Sequence, residues 1–359
     1  MKKISVLLAA LILALSVLFS GCEKKNALPE PTPDISMHRY EGSFIDVFDT
    51  VTKIVLYAPD EDTASALVDE VHALLREYHT LFDIYNAYDG VNNIKTVNDN
   101  AGVAPVKVDQ KLIDLVSYAK EMYTLTSGKM NIAFGSVLHI WHNYREAGID
   151  DPKNAALPPM DDLTAAAAHC NIDDVIVDAD AATIYLADPA MSLDVGAIAK
   201  GYAAQKVVDT LIGRGVTDLL LSVGGNVCGI GSRIDGTPWK VGIQNPDLSS
   251  SEYLCYLAVR DTNLVTSGSY QRYYTVGDTT YHHIIDPVTL MPATYFISVS
   301  VLAPDSGLAD ALSTALFNMP LSEGQAFVAS LDNVEAMWVF PDGTQVQSDG
   351  FAAYIIENP

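Results

Sequence analysis

Ala309-Asp310-Ala311-Leu312-Ser313-Thr314-Ala315-Leu316 places one carboxylate three and four residues ahead of two hydroxyls. On a helix those spacings bring all three oxygen-bearing side chains to one face, within reach of a single hard cation. Far upstream, Asp194-Val195-Gly196-Ala197-Ile198-Ala199-Lys200-Gly201 runs from a strand-like end through a glycine turn into a helix. Backbone N–H groups and a lysine at such a turn can meet phosphate. Together the two segments point to a Mg²⁺-assisted site for a diphosphate compound. Each alone has a plainer reading: Asp310 as a first-turn acid with hydroxyls bonded back to carbonyls, and the Lys200 turn as only a turn. His282-His283 is a poor metal pair, because neighbours on a strand point to opposite faces; one faces a site and the other packs or meets solvent.

These groups need elements to position them. Residues 44–57 alternate as strands around a turn at Asp49-Thr50, and residues 62–85 carry helical periodicity capped by Asp62 or Thr63. A second helix spans 109–127 and stops at Gly128; short strands follow at 175–177 and 183–186. The Lys200 helix covers 197–212, and the buried strand 219–223 ends at Gly224-Gly225-Asn226. Strands at 239–243, 253–259 and 264–266 lead to a hairpin, 270–276 with 281–285, turning at Gly277-Asp278. A strand at 297–302, the Asp310 helix, a helix near 325–330 and a hairpin at Pro341-Asp342-Gly343 complete the chain. Strands and helices mix without strict βαβ alternation, so the expected class is α+β, with mixed or antiparallel sheets, packed helices and two interlocked lobes.

The chain opens Met1-Lys2-Lys3, runs apolar to Phe19 and reaches Ser20-Gly21-Cys22. A basic start, an apolar stretch and small residues read as a signal peptide over residues 1–21. Cys22 after Ser-Gly resembles a bacterial lipoprotein processing site, with Phe19 where such sites usually carry Leu. An uncleaved membrane anchor is the other reading of the same run, and both put the body outside the cytoplasm. Residues 22–36 are polar and Pro-rich, a flexible tether; residues 37–359 form one domain. The formal charge of −24 argues against nucleic-acid partners, and an anionic ligand must be held by local groups or a metal. Cys170, Cys228 and Cys255 form neither a disulfide framework nor a zinc pattern and read as apolar thiols.

Five pieces occur in order: Asp194-x-x-Ala197-x-x-Lys200-Gly201-Tyr202, Ser222-Val223-Gly224-Gly225-Asn226, Thr266-Ser267-Gly268-x-Tyr270-x-Arg272, His283-Ile284-Ile285-Asp286-Pro287 and the Asp310 helix. This set resembles the ApbE family of flavin transferases, whose members move FMN from FAD onto proteins, and the likeness covers nearly all of the chain from Met37. The resemblance implies Mg²⁺ (or Mn²⁺) held by Asp310, Thr314, Ser313 and the Ala197 carbonyl, with FAD contacts from Asp194, Lys200 and Ile284. Ser127-Gly128-Lys129-Met130-Asn131-Ile132-Ala133-Phe134-Gly135 aligns with the family's S-G-G-x-F-D-P-T-x-G loop, so Met130, Asn131 and Ile132 would touch the cofactor. Here Ile132 replaces the usual Asp and Ala133 the usual Pro, which leaves backbone contacts. Phe48-Asp49-Thr50 stands at the family's M-G-T, putting Phe48 where a Met meets the cofactor.

The implied chemistry is attack of a Thr or Ser hydroxyl of an acceptor protein on the FMN phosphorus of FAD, with AMP leaving. The acceptor would belong to a membrane electron-transport system, and the enzyme would sit lipid-anchored on the outer side of the bacterial cell membrane. His283 is the candidate proton acceptor; Arg272 either assists at phosphate or, as the favoured reading, pins its loop through a carboxylate. Rival functions are an FAD pyrophosphatase giving FMN and AMP, a non-catalytic flavin-binding lipoprotein, and a solute-binding lipoprotein. The anchoring expectation has a direct check: Cys22→Ser should shift the protein from the membrane fraction to secreted or uncleaved forms. A variant that is still cleaved after residue 21 and still partitions to the membrane would remove Cys22 as the anchor.

Overall fold

The computed structural model describes residues 36–356; the signal peptide, Cys22 and the tether before Ser36 lie outside the described residues. From Met37 onward the chain is one compact unit. β1 (His38–Val47) and β2 (Thr50–Ala58) open it, followed by α1 (Glu61–Phe82), α2 (Ile94–Asp99), β3 (Val106–Lys107) and α3 (Gln110–Leu125). α4 (Gly135–Asp150) and α5 (Met160–Ala167) precede β4 (Val175–Asp178), β5 (Thr183–Leu186) and α6 (Ala199–Gly213). Then come β6 (Leu219–Val223), β7 (Asn226–Ile230), β8 (Trp239–Gln244), β9 (Tyr253–Val259) and β10 (Asn263–Gly268). The hairpin β11 (Tyr273–Val276) and β12 (Thr279–His282) leads to β13 (Ser298–Ala303), α7 (Ser306–Phe317) and α8 (Leu321–Ala329). β14 (Glu335–Val339), β15 (Gln345–Gln347) and β16 (Ile355–Ile356) finish the described chain.

The centre is an eight-stranded sheet in the order β1-β2-β6-β7-β10-β13-β14-β15, antiparallel at every pairing. Successive strand residues face opposite sides. Val265, Val301, Ala336 and Trp338 point into the large core with the helices. Their neighbours Leu264, Leu302, Met337 and Val339 point the other way, against Trp239, Ile243 and Leu257 of the small sheet β16-β9-β8. Both faces of the main sheet are therefore covered. A third apolar cluster joins Phe134, Val137, Trp141 and Leu163 to Tyr274, Ile285 and Leu290. Two stretches of chain distant in sequence thus build one small lobe, and the α+β character is the observed one.

Boundaries follow local chemistry. α1 is capped by Asp60, whose side chain accepts the Thr63 N–H at 2.8 Å; Asp62 and Thr63, the expected caps, sit inside its first turn. Asp109 caps α3 in the same way, and after α3 Ser127 and Gly128 both take positive φ, which ends the helix. α4 is a helix for which the sequence carries no expectation, because its buried positions are few and irregular: Gly135, Val137, Trp141 and Gly148. The β11–β12 hairpin is shorter than expected and leaves His283 just beyond its strand. Cys170, Cys228 and Cys255 are free thiols.

α7 is buried nearly all round, with Ala309, Ala311, Leu312, Ser313, Ala315, Leu316 and Phe317 fully inaccessible. Such a helix belongs inside the protein, and α7 packs between α6 and strands β10 and β13. The α6–α7 crossing is close because Gly201 has no side chain: a Cβ there would collide with the Ser306 carbonyl and with Asp310 Cβ. Gly201→Ala should cost about 1–3 kcal/mol, the usual penalty for over-packing a rigid contact. Denaturant unfolding measures it, and a wild-type midpoint would show that the helices can part without cost.

Candidate active site

A cleft of about 410 Å³ opens where the helix ends of the main body face the small lobe. Phe48, Met130, Asn131 and Asp194 line it, together with Ala197, Lys200 and Arg272. His283, Ile284, Asp310 and Thr314 complete the expected residues found there. Ile132 and Ser313 are not on its walls.

Asp310 is 3 % exposed. Its Oδ2 accepts the Gly201 N–H at 2.8 Å and the Asn226 side-chain amide at 2.9 Å. Lys200 Nζ stands 4.0 Å from the same oxygen and 3.5 Å from the Gly196 carbonyl. Burial raises the Asp310 carboxyl above its usual range, opposed by Lys200 and by the two donors. No side chain caps α6; in its first turn the Ala199 N–H bonds the Val195 carbonyl at 2.8 Å and the Gly201 N–H bonds Asp310, so it is chiefly Lys200 that this turn offers to the cleft. Asp194 lies in the segment leading into α6; its Oδ1 accepts the Gly196 N–H at 2.8 Å, and burial raises its carboxyl.

Ser313 departs from the expected ligand set. Its hydroxyl donates to the Asp310 carbonyl at 2.9 Å and pairs with Ser267 Oγ at 2.7 Å, fully buried. The reason is rotational: at roughly 100° per residue, position i+3 falls about 60° to one side of Asp310 and i+4 about 40° to the other. The cleft lies on the Thr314 side. Ile132 is also corrected: it is fully buried in a short 3₁₀ turn, and its contribution is a carbonyl accepting the Asp194 N–H at 2.8 Å. Asn131 lines the cleft, yet its side chain is committed to the Ala133 N–H at 2.8 Å and the Cys170 carbonyl at 3.0 Å.

The two histidines are separated by their hydrogen bonds. His282 Nε2 lies 2.7 Å from the Ala293 carbonyl and its Nδ1 accepts the Ile284 N–H at 3.2 Å. Both nitrogens are used, and the ring packs edge-on against Phe317. His283 Nδ1 lies 3.2 Å from the Arg272 carbonyl. A carbonyl only accepts, so Nδ1 carries the proton and Nε2 keeps the lone pair. Burial first, then the Arg272 guanidinium, push the His283 imidazole down to about 3. Arg272 itself is exposed, and no carboxylate pairs with it among the described residues; it pins its loop through its backbone carbonyl, not through the expected ion pair.

Several wall residues were not singled out from sequence. Asn226, 2 % exposed at the start of β7, anchors Asp310; a polar residue straight after Gly224-Gly225 at a buried strand was the available signal. His79 Nδ1 accepts the Phe48 N–H at 3.2 Å, and Phe48 holds a positive φ of 54°. Asp83 binds the Tyr85 and Asn86 N–H groups and the Tyr88 hydroxyl, shaping the loop after α1. Tyr85 stacks near His142, which meets Arg145 at 2.8 Å. With Phe134, Trp141, Tyr274 and Tyr281 these make one end of the cleft aromatic, suited to a planar ring. Four cations (Lys129, Arg145, Lys200, Arg272) balance four wall carboxylates (Asp49, Asp83, Asp194, Asp310), so the cleft is locally neutral in a protein of charge −24.

Among the described residues no cluster of three or more His, Cys, Asp or Glu could cage a metal by itself. One buried carboxylate and one hydroxyl suit Mg²⁺, which keeps water and takes substrate phosphate oxygens for its remaining positions. The cleft joins a helix face that carries a buried carboxylate, a hydroxyl and a nearby lysine to an aromatic slot suited to a planar ring. Comparison with known proteins is in accord. The family model described as "ApbE family" matches residues 48–338. An FAD:protein FMN transferase of Treponema pallidum (strain Nichols) is 35 % identical over 76 % of this chain and 78 % of its own. One from Klebsiella pneumoniae (strain 342) is 30 % identical over 79 % and 84 %. The ApbE protein of Thermotoga maritima superposes with a TM-score of 0.77 at 25 % identity, over 89 % of this chain and all of that one. The chain belongs to the ApbE family.

The histidine assignments are open to test by stability alone. His282→Ala should cost about 1–3 kcal/mol through the polar groups it strands, more than His283→Ala at neutral pH. His283 also carries a pH signature. Its folded value of about 3 lies below the ordinary 6.5, so falling pH protonates the unfolded chain first and stability drains from about 6.5 downward. His283→Gln should therefore gain on wild type in thermal midpoint as the pH is lowered from about 7 to about 4. A pH-independent difference would mean that the folded imidazole is not held neutral.

Proposed function

We infer that this chain transfers FMN from FAD to a Thr or Ser hydroxyl of an acceptor protein, releasing AMP. The observation that carries the reading is Asp310, buried and anchored by Gly201 and Asn226, with Thr314 and Lys200 on the same cleft wall. The names of the relatives support the reaction class. Asp310, Thr314 and the backbone at Ala197 would hold Mg²⁺, with Mn²⁺ able to use the same oxygen ligands. A cation held by these residues would supply charge neutralisation at the two adjacent phosphates.

The protein's own groups do the rest. Lys200, in the first turn of α6, stabilises charge on the departing phosphate. The aromatic end orients a ring and excludes water. The acceptor oxygen forms a bond to the FMN phosphorus, the bond from that phosphorus to the bridging oxygen breaks, and the bridging oxygen leaves with AMP. His283 Nε2 takes the hydroxyl proton. Its low value belongs to the free site; an anionic diphosphate nearby favours imidazolium and strengthens the base. The sequence features at Cys22 support an extracytoplasmic, lipid-anchored enzyme, and an acceptor in a membrane electron-transport system suits that location.

The full chain incubated with FAD, Mg²⁺ and candidate acceptors should yield a flavin-fluorescent acceptor band, an intact mass raised by FMN less water, and free AMP. AMP and FMN without a labelled acceptor would identify a hydrolase instead. Asp310→Ala should abolish transfer, and full activity of that variant after chelation would sink the metal-assisted mechanism. His283→Ala should slow transfer about 10²–10⁴-fold while FAD affinity is largely kept; an unchanged rate would remove His283 as the base.

A further inference from the structure

Asn318 caps the C-terminal end of α7 and lines the cleft, yet nothing in the fold accounts for its side chain. The residue is 1 % exposed, and its Oδ1 is buried with no hydrogen-bond partner among the described residues. Burying a carboxamide oxygen unpaired is costly, and such groups in a folded protein call for an explanation. Helix capping does not supply one. Asn is favoured at a helix C-terminus when it takes the left-handed conformation, whereas Asn318 has φ −95° and ψ 13°, open to any residue. Its backbone N–H bonds the Ala315 carbonyl at 3.0 Å whatever the side chain.

Its place on the helix gives a reason. Asp310, Thr314 and Asn318 are spaced by four and all reach the cleft. At roughly 100° per residue they drift only about 40° per step along one stripe, and each step advances about 6 Å. A cation held at Asp310 and Thr314 bonds oxygen at about 2 Å, so Asn318 lies one turn too far to join the same coordination shell. The groups that follow a phosphate along a nucleotide are the hydroxyls of its sugar or sugar-alcohol; the ring begins beyond them. A hydroxyl both donates and accepts, and a carboxamide offers Oδ1 or Nδ2 according to a half-turn of its last torsion.

We propose that Asn318 is a specificity-determining contact, its carboxamide hydrogen-bonding a sugar hydroxyl of the bound dinucleotide one helical turn from the diphosphate. The inference rests on the reading of the cleft as an FAD site and names which part of the ligand this residue reads. The hydroxyl belongs either to the ribityl chain on the flavin side or to the ribose on the adenosine side, and the two sources are separable by half-ligands.

The test uses the full chain with Mg²⁺ and no acceptor, and measures affinity for FAD, FMN and ADP by calorimetry. Asn318→Leu keeps the volume and removes the amide; it should leave the ligand-free thermal midpoint unchanged or higher, since an unpaired polar group is gone. FAD affinity should fall about tenfold, the worth of one buried hydrogen bond. One half-ligand should lose the same factor and the other none: FMN for a ribityl contact, ADP for a ribose contact. In the ribose case the loss should vanish when 2′-deoxy- or 3′-deoxy-ADP is the ligand. Unchanged FAD affinity in Asn318→Leu overturns the proposal, as does an equal loss for both half-ligands, which marks a general distortion of the cleft. If Asn318→Leu does not fold, Asn318→Ser is measured by the same criteria. A wild-type protein that fails to bind FAD would instead overturn the flavin reading itself, before any variant is compared.

Discussion

One carboxylate oxygen holds the site together. Asp310 Oδ2 receives a backbone N–H from α6 and an amide from the start of β7, so three elements distant in sequence converge on a single buried acceptor. A carboxylate in that position is unfavourable unless its lone pairs are matched, and the backbone donor arrives only because α6 and α7 touch at Gly201. The same contact sets where Lys200 can reach and which face of α7 meets the cleft. Aromatic walls, the lysine and the histidine acquire their relation to a ligand through this crossing.

The acidity of the protein gives that local arrangement its significance. A chain of charge −24 repels anions at long range, while cations and carboxylates balance on the cleft wall. An anionic ligand is therefore held by directed contacts at close range, Lys200 first among them. Screening by salt acts on the distant repulsion far more than on contacts inside the cleft.

Much of this was legible in the sequence because the chemistry sits in short, spaced motifs. Asp310 with Thr314, the Asp194–Lys200 turn and His283 all stand on the cleft wall and are readable from spacing and residue type, and their order carries the family resemblance. The failures have physical causes. Spacing alone could not say on which side of Asp310 the cleft lies, so Ser313 was grouped with Thr314 although it faces Ser267. Alignment put Ile132 at the cofactor, but an isoleucine in place of an acid turns to the core. Asn226 was quoted without a role because its partner is on another element. α4 escaped because its face against the small lobe is buried by residues of the hairpin β11–β12, a contact invisible to local periodicity.

The small lobe imposes an order of events on the chain. Trp141 Nε1 donates to the Leu290 carbonyl at 2.9 Å and the Tyr274 hydroxyl to the Ala156 carbonyl at 3.0 Å, each closing a loop of more than a hundred residues. Contacts of such separation form late, since loop-closure entropy must be overcome before they contribute. In a chain that emerges from its N-terminus, α4 can meet α5 early but lacks the rest of its packing until the hairpin and the segment after it have been delivered. The aromatic end of the cleft is assembled from both stretches, so the pocket is completed among the last parts of the molecule. Ligand capture thereby reports that the whole body has folded, and a nascent or truncated chain lacks the means to sequester flavin.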